Sequence, residues 1–148
     1  MTADDTRPRP TGSGHTWHTD PARELAYRRW MRADLPSAAA GCVVEDLDGV
    51  HRLYSQDDPE GRILLTEWKA RLVPRLGMAQ ERTFGMIDHA LRQTYGAKYL
   101  GFHLIALDRT EDPEQAGEMW INGRPSDLAA LRRCLLGEST GRPYEFKW

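Results

Sequence analysis

Two cysteines, Cys42 and Cys134, are all that the 148 residues contain, too few for a disulfide framework or a zinc-ligand spacing. No apolar run approaches the ~20 residues that cross a bilayer, and no secretory leader is recognisable. A cytoplasmic protein with no membrane contact is therefore expected. Positive charge is not in excess: 20 Lys and Arg face 22 Asp and Glu, a net charge of −2. That balance argues against a general nucleic-acid coat, whose footprint is basic, but not against an enzyme whose acidic groups offset local basic patches. Internal repeats, a P-loop, a Rossmann glycine pattern and coiled-coil heptads are all missing.

What is present suits one globular domain. Hydrophobic residues make up 40% of the chain and charged residues 28%, enough for a core of its own. Residues 1–18 are polar and rich in Pro, Gly, Thr and Asp, and read as a disordered arm. His15 and His18 within it read as incidental rather than as metal ligands. Residues 19–148 form the domain. Thr19 or Asp20 caps a first helix, with Pro21 at its first position and Leu25, Trp30 and Met31 on its apolar stripe. Pro36 ends that helix, and a small-residue connection starting at Ser37 follows. Such a connection lets the backbone approach a phosphate, although ordinary loops have the same composition.

Two strands come next, residues 42–54 and 62–69, separated by a polar turn. Ile63, Leu64 and Leu65 are nearly continuous, so the second strand is covered on both faces and the class is α/β. Gly49, directly after Asp48, signals a bulge or a close backbone approach. Residues two apart on a strand share a face, so Asp46 points with Asp48, and Glu67 with Lys69. If the strands are antiparallel neighbours, three carboxylates and one ammonium converge. Carboxylates so close repel unless a cation lies among them, and oxygen ligands of this kind suit Mg²⁺.

Lys69, Arg71 and Arg75 form a basic connection, and cations of this kind neutralise phosphates whatever the sequence. A helix over residues 80–94 follows, with Phe84, Ile87 and Leu91 at helical spacing, Gln80 and Arg82 in its first turn, and Asp88 and His89 on its surface. Gly96 caps it. Residues 99–108 are a buried strand, joined to the Glu67 strand through the helix, with His103 as a satisfied core histidine. A short strand over 118–121 meets the turn signal Asn122-Gly123. Ser126 caps a last helix over 127–136, and Tyr144 and Trp148 pack back from the tail. The whole is a central mixed β-sheet flanked by helices.

Asp48 on one strand and Glu67-Trp68-Lys69 on the next resemble the core motif of the PD-(D/E)XK nuclease superfamily, over roughly residues 24–108. Leu47 stands where the motif has Pro. The chain also resembles the small phage- and actinobacteria-type members. The resemblance implies a restriction-endonuclease-like core and a metal-dependent nuclease that hydrolyses DNA phosphodiester bonds. Asp48, Glu67 and the Trp68 backbone carbonyl would hold Mg²⁺, or Mn²⁺, with Asp46 either a further metal residue or a structural neighbour. Lys69 would act on the attacking water and Gln80 would orient phosphate or water. Arg71, Arg75, Arg82 and Ser37 would contact nucleic acid. Glu24 takes the place of the superfamily's helix glutamate, or else pairs with Arg28 on the surface. DNA is the implied partner and a homodimer the implied assembly. The rival reading is a non-catalytic module that keeps the fold and binds nucleic acid or protein.

Overall fold

The computed structural model describes residues 30, 33–34, 47–110, 112–138 and 141–147. The chain divides into two compact units, Met1–Val43 and Val44–Trp148. In the first, the described residues Trp30, Ala33 and Asp34 are helical and exposed. The expected arm, most of the first helix, Glu24, Ser37, Cys42 and Asp46 lie outside the described residues.

The second unit contains one five-stranded mixed sheet. Its strands are β1 (Gly49–Leu53), β2 (Arg62–Lys69), β3 (Tyr99–Leu107), β4 (Met119–Ile121) and β5 (Arg124–Ser126). They lie side by side in chain order. Only β2 and β3 are parallel; every other pair is antiparallel. Parallel neighbours need a long crossover, and helix α1 (Met78–Tyr95) supplies it. A second helix, α2 (Leu128–Leu135), follows β5.

Local sequence accounts for these boundaries. Gly96 ends α1 at φ 54°, a conformation glycine adopts without a Cβ clash, and its N–H donates to the Arg92 carbonyl. Asp127, one residue later than the expected Ser126, caps α2: its side chain accepts from the Ala130 amide. The two apolar faces of β3 carry two cores. Leu65, Phe84, Phe102, Leu104 and Tyr144 pack on one side; Ile105, Leu107, Met119 and Leu131 form the other cluster. The β2–β3 register slips between the pairs Ile63↔Tyr99 and Leu65↔Phe102, an extra residue in β3. That extra residue restores Tyr99 to the face of Phe102, since alternation would otherwise separate them. Gly101, at φ 96°, takes up the bulge, and a Cβ there would lie 2.7 Å from Pro143. The bulge expected at Gly49 is absent from the β1–β2 register, which runs unbroken.

Two polar networks lie inside the unit, one around Asp88 and one around His103, the satisfied core histidine expected there. Asp88 is buried, contrary to the surface position expected of it. Its carboxylate accepts from Arg92 and from the Tyr99 hydroxyl, groups that reach it from the next helical turn and from β3. His103 is fully buried and both ring nitrogens are partnered: Nε2 lies 3.1 Å from the Leu100 carbonyl and Nδ1 2.9 Å from Asn122 Nδ2. A neutral ring that donates from Nε2 and accepts at Nδ1 satisfies both.

Burial lowers the His103 pKa, so the folded protein keeps the ring neutral where the unfolded chain takes up a proton. The His103 contribution to stability is complete above about pH 6.5 and is lost as pH falls below it, because the unfolded state then binds more protons. Glu67, whose pKa is raised, works in the opposite sense: its contribution is lost as pH rises through its folded value. In a Glu67→Gln background the urea midpoint is expected to fall steadily from about pH 7 to about pH 5.5. A flat profile, or a His103 ring that titrates like a free histidine by NMR, contradicts the assignment.

Candidate functional site

β2 turns from apolar to charged at its end. Leu65, Glu67 and Lys69 share one face, and Leu65 already packs in the core beneath α1. Glu67 and Lys69 continue that line towards the start of α1, where Gln80 sits in the first turn. The three side chains meet. Lys69 Nζ donates to Glu67 Oε1 and to Gln80 Oε1, both at 3.0 Å, and Gln80 Nε2 donates to Glu67 Oε1 at 2.9 Å. A carboxylate beside a helix N-terminus is also favoured by the helix dipole.

Asp48 completes the group. Gly49 pairs with Thr66, so the antiparallel register carries Asp48 to a place opposite Glu67. Asp48 is exposed, and its Oδ2 accepts from the Trp68 backbone amide at 2.9 Å. The close approach expected at Gly49 is real. A Cβ there would stand 2.3 Å from Thr66 Oγ1 and 2.8 Å from His51 Nε2, groups that hydrogen-bond each other at 3.1 Å. Gly49→Ala must part that pair, and a loss of ~1–3 kcal/mol is expected from overpacking, read as a shift in the urea midpoint. An unchanged midpoint would contradict the fit.

Glu67 has an unusual environment. It is 4% exposed, and its Oε2 is buried with no hydrogen-bond partner among the described residues, while Oε1 takes both donors. Burial raises its pKa; Asp48 adds to the rise, and Lys69 and Gln80 oppose it. Leaving a buried acceptor unsatisfied costs about 1–3 kcal/mol, so the fold alone gives no reason for this residue here.

The expected Mg²⁺ or Mn²⁺ centre is corrected by this geometry. Among the described residues, no group of three or more His, Cys, Asp or Glu side chains is placed to hold a metal ion. One oxygen of each expected carboxylate ligand is already engaged. Asp48 Oδ2 is bonded to the Trp68 amide, and Glu67 Oε1 to Lys69 and Gln80. The Lys69 ammonium supplies the positive charge that the carboxylates need. Asp48, Glu67 and the Trp68 carbonyl are therefore not a metal-binding set, and Asp46 lies outside the described residues.

The expected nucleic-acid contacts are spread out. Arg71, Arg75 and Arg82 are all exposed, and of the three only Arg75 lines the cleft formed with the β4–β5 turn. Asn122, whose role spacing did not reveal, links that turn to β3 and to the C-terminal segment. It adopts φ 53°, accepts from the Leu104 amide at Oδ1, and donates from Nδ2 to the Arg142 carbonyl. The Asn-Gly turn signal was the one trace of it in the sequence.

Among the described residues no helix is long and apolar enough to cross a membrane. Comparison with protein-family models, with curated proteins and with solved structures finds no match to this chain.

Proposed function

We propose that Asp48, Glu67, Lys69 and Gln80 form the working site of a nuclease that hydrolyses phosphodiester bonds in DNA. The observation that carries this reading is Glu67, a carboxylate held in the interior with one oxygen unpartnered among the described residues. Lys69 is about a fifth exposed and has an N–H to spare beyond its two partners. It would donate to a phosphate oxygen and stabilise charge that grows there in the transition state. Drawn towards the phosphate, Lys69 would release Glu67, whose pKa would rise further. Glu67 would then take a proton from the attacking water. The water oxygen bonds to phosphorus, the bond to the leaving ester oxygen breaks, and that oxygen takes a proton from bulk water. Gln80 would keep Glu67 oriented, and Asp48 would fix the end of β2 through the Trp68 amide.

A restriction-endonuclease-like core of the PD-(D/E)XK type belongs to the same proposal. It is supported by Asp48 directly ahead of β1, the neighbouring strand β2 that carries Glu67-Trp68-Lys69, the crossover helix that carries Gln80, and the parallel strand β3. The metal of that superfamily is not carried over. A cytoplasmic location and a homodimer accompany the reading.

The second reading, a non-catalytic nucleic-acid- or protein-binding module, is favoured by one observation: Lys69 is already neutralised by Glu67. Single-turnover cleavage of linear, nicked, branched and single-stranded DNA, with binding measured beside it, separates the two. Cleavage of any of these substrates supports the hydrolase. Binding without cleavage moves the assignment to the module.

A further inference from the structure

A cleft of about 230 Å³ opens between three separate stretches of chain: the connection ahead of α1, the β4–β5 turn and the C-terminal segment. Four cations line it, Arg75, Arg124, Arg142 and Lys147, against a single carboxylate, Glu145. The whole chain has a net charge of −2, so this is a local reversal of sign. Glu145 lies 3.2 Å from Arg142, and among the described residues no carboxylate pairs with Arg75, Arg124 or Lys147.

The cations are exposed, but the backbone beneath them is fixed by buried groups. Asn122 donates to the Arg142 carbonyl. The Tyr144 amide donates to the Phe102 carbonyl, and the Tyr144 hydroxyl accepts from the Leu76 amide and donates to Glu81 Oε2. The other Glu81 oxygen accepts from the Lys147 amide. Buried Tyr144 and Glu81 thus tie the C-terminal segment to the start of α1, so the three walls are held in one arrangement.

Small-molecule pockets run to roughly 300–1,000 Å³ and are mostly apolar. This cleft is smaller and charged. Arginine forks match phosphate oxygens in geometry as well as charge. Its position matters too. Leu104 pairs with Glu67 on one side and hydrogen-bonds Asn122 on the other. Two strand spacings of about 4.8 Å therefore place the Asn122 backbone about 10 Å from that of Glu67. Tyr144, on the cleft wall, belongs to the same core cluster as Leu65, the residue that shares a face with Glu67.

We infer that this cleft seats a backbone phosphate of a DNA strand, a few nucleotides from the bond presented to Lys69. The strand as ligand rests on the nuclease reading; the affinity for phosphate does not. A strand held at two points is fixed in register, and a second phosphate anchor does so without reading sequence.

The experiment is fluorescence anisotropy with a labelled single-stranded oligonucleotide, as a function of salt, competed with inorganic phosphate. The proteins are wild type, Lys69→Ala, and the double variant Arg124→Ala/Arg142→Ala, whose changes are at exposed positions and are expected to leave the circular-dichroism spectrum unchanged. The double variant is expected to bind roughly tenfold more weakly and to lose about 0.7 from the salt slope, the value for one single-strand phosphate contact. Unchanged affinity and slope overturn the cleft. Competition by inorganic phosphate as effective as that by unlabelled oligonucleotide overturns the strand and leaves a small-anion site. Weakened binding by the double variant, together with a wild type that cleaves no DNA, removes the nuclease reading and keeps the cleft.

Discussion

Lys69→Ala is expected to slow DNA cleavage by ~10²–10³-fold while the protein stays folded. The two halves of that result have different causes. Among the described residues Lys69 is the one cation in the cluster of Asp48, Glu67 and Gln80, and a methyl group cannot donate to a phosphate oxygen. Interactions felt mainly in the transition state lower the rate more than the affinity, so binding should weaken much less than cleavage. Stability is spared because Glu67 keeps its bond from Gln80 and its raised pKa lets it take up a proton when the ammonium is gone. Single-turnover rates beside thermal melts check both halves. A wild-type rate removes Lys69 from the chemistry, and an unfolded variant would mean the residue serves the fold.

The largest loss of stability is expected at Phe102. Its side chain is fully buried at the centre of an aromatic group, with ring centroids 5.4 Å from Phe84, 5.9 Å from Tyr144 and 5.2 Å from Phe146. Phe102→Ala removes a ring that α1, β3 and the C-terminal segment all share. A cost of ~3–5 kcal/mol is expected, a large part of the ~5–15 kcal/mol typical of a domain. Phe146 is only half-buried, and Phe146→Ala should cost less. The urea midpoints of the two variants test this. A Phe102→Ala loss no larger than that of Phe146→Ala would contradict the central place given to Phe102.

The strands and helices were largely legible in the sequence, because their signals are local. β2 begins and ends where its apolar run and flanking charges place it, and Gly96 stops α1 where a left-handed residue is needed. The shared face of Glu67 and Lys69 was legible too, from strand alternation, whereas Gln80 entered only through the family resemblance. Less visible was what each group would choose as partner. Glu67 bonds to its strand neighbour Lys69 rather than sharing a cation with Asp48, and spacing does not decide between those outcomes. Asp88 looked like a surface residue because its partner Tyr99 comes from another element. The segment over residues 141–147 has no periodicity to read, yet Tyr144 anchors both a core and the basic cleft.

The most direct measurement is a double-mutant cycle of single-turnover cleavage, with wild type, Glu67→Gln, Lys69→Ala and the double variant on the DNA form that wild type cuts fastest. Residues that act as one unit are strongly non-additive. Expected are two slow single variants and a double variant no slower than the slower of them. Wild-type cleavage that neither substitution alters, or no cleavage by wild type at all, would contradict a hydrolytic site at Glu67 and Lys69.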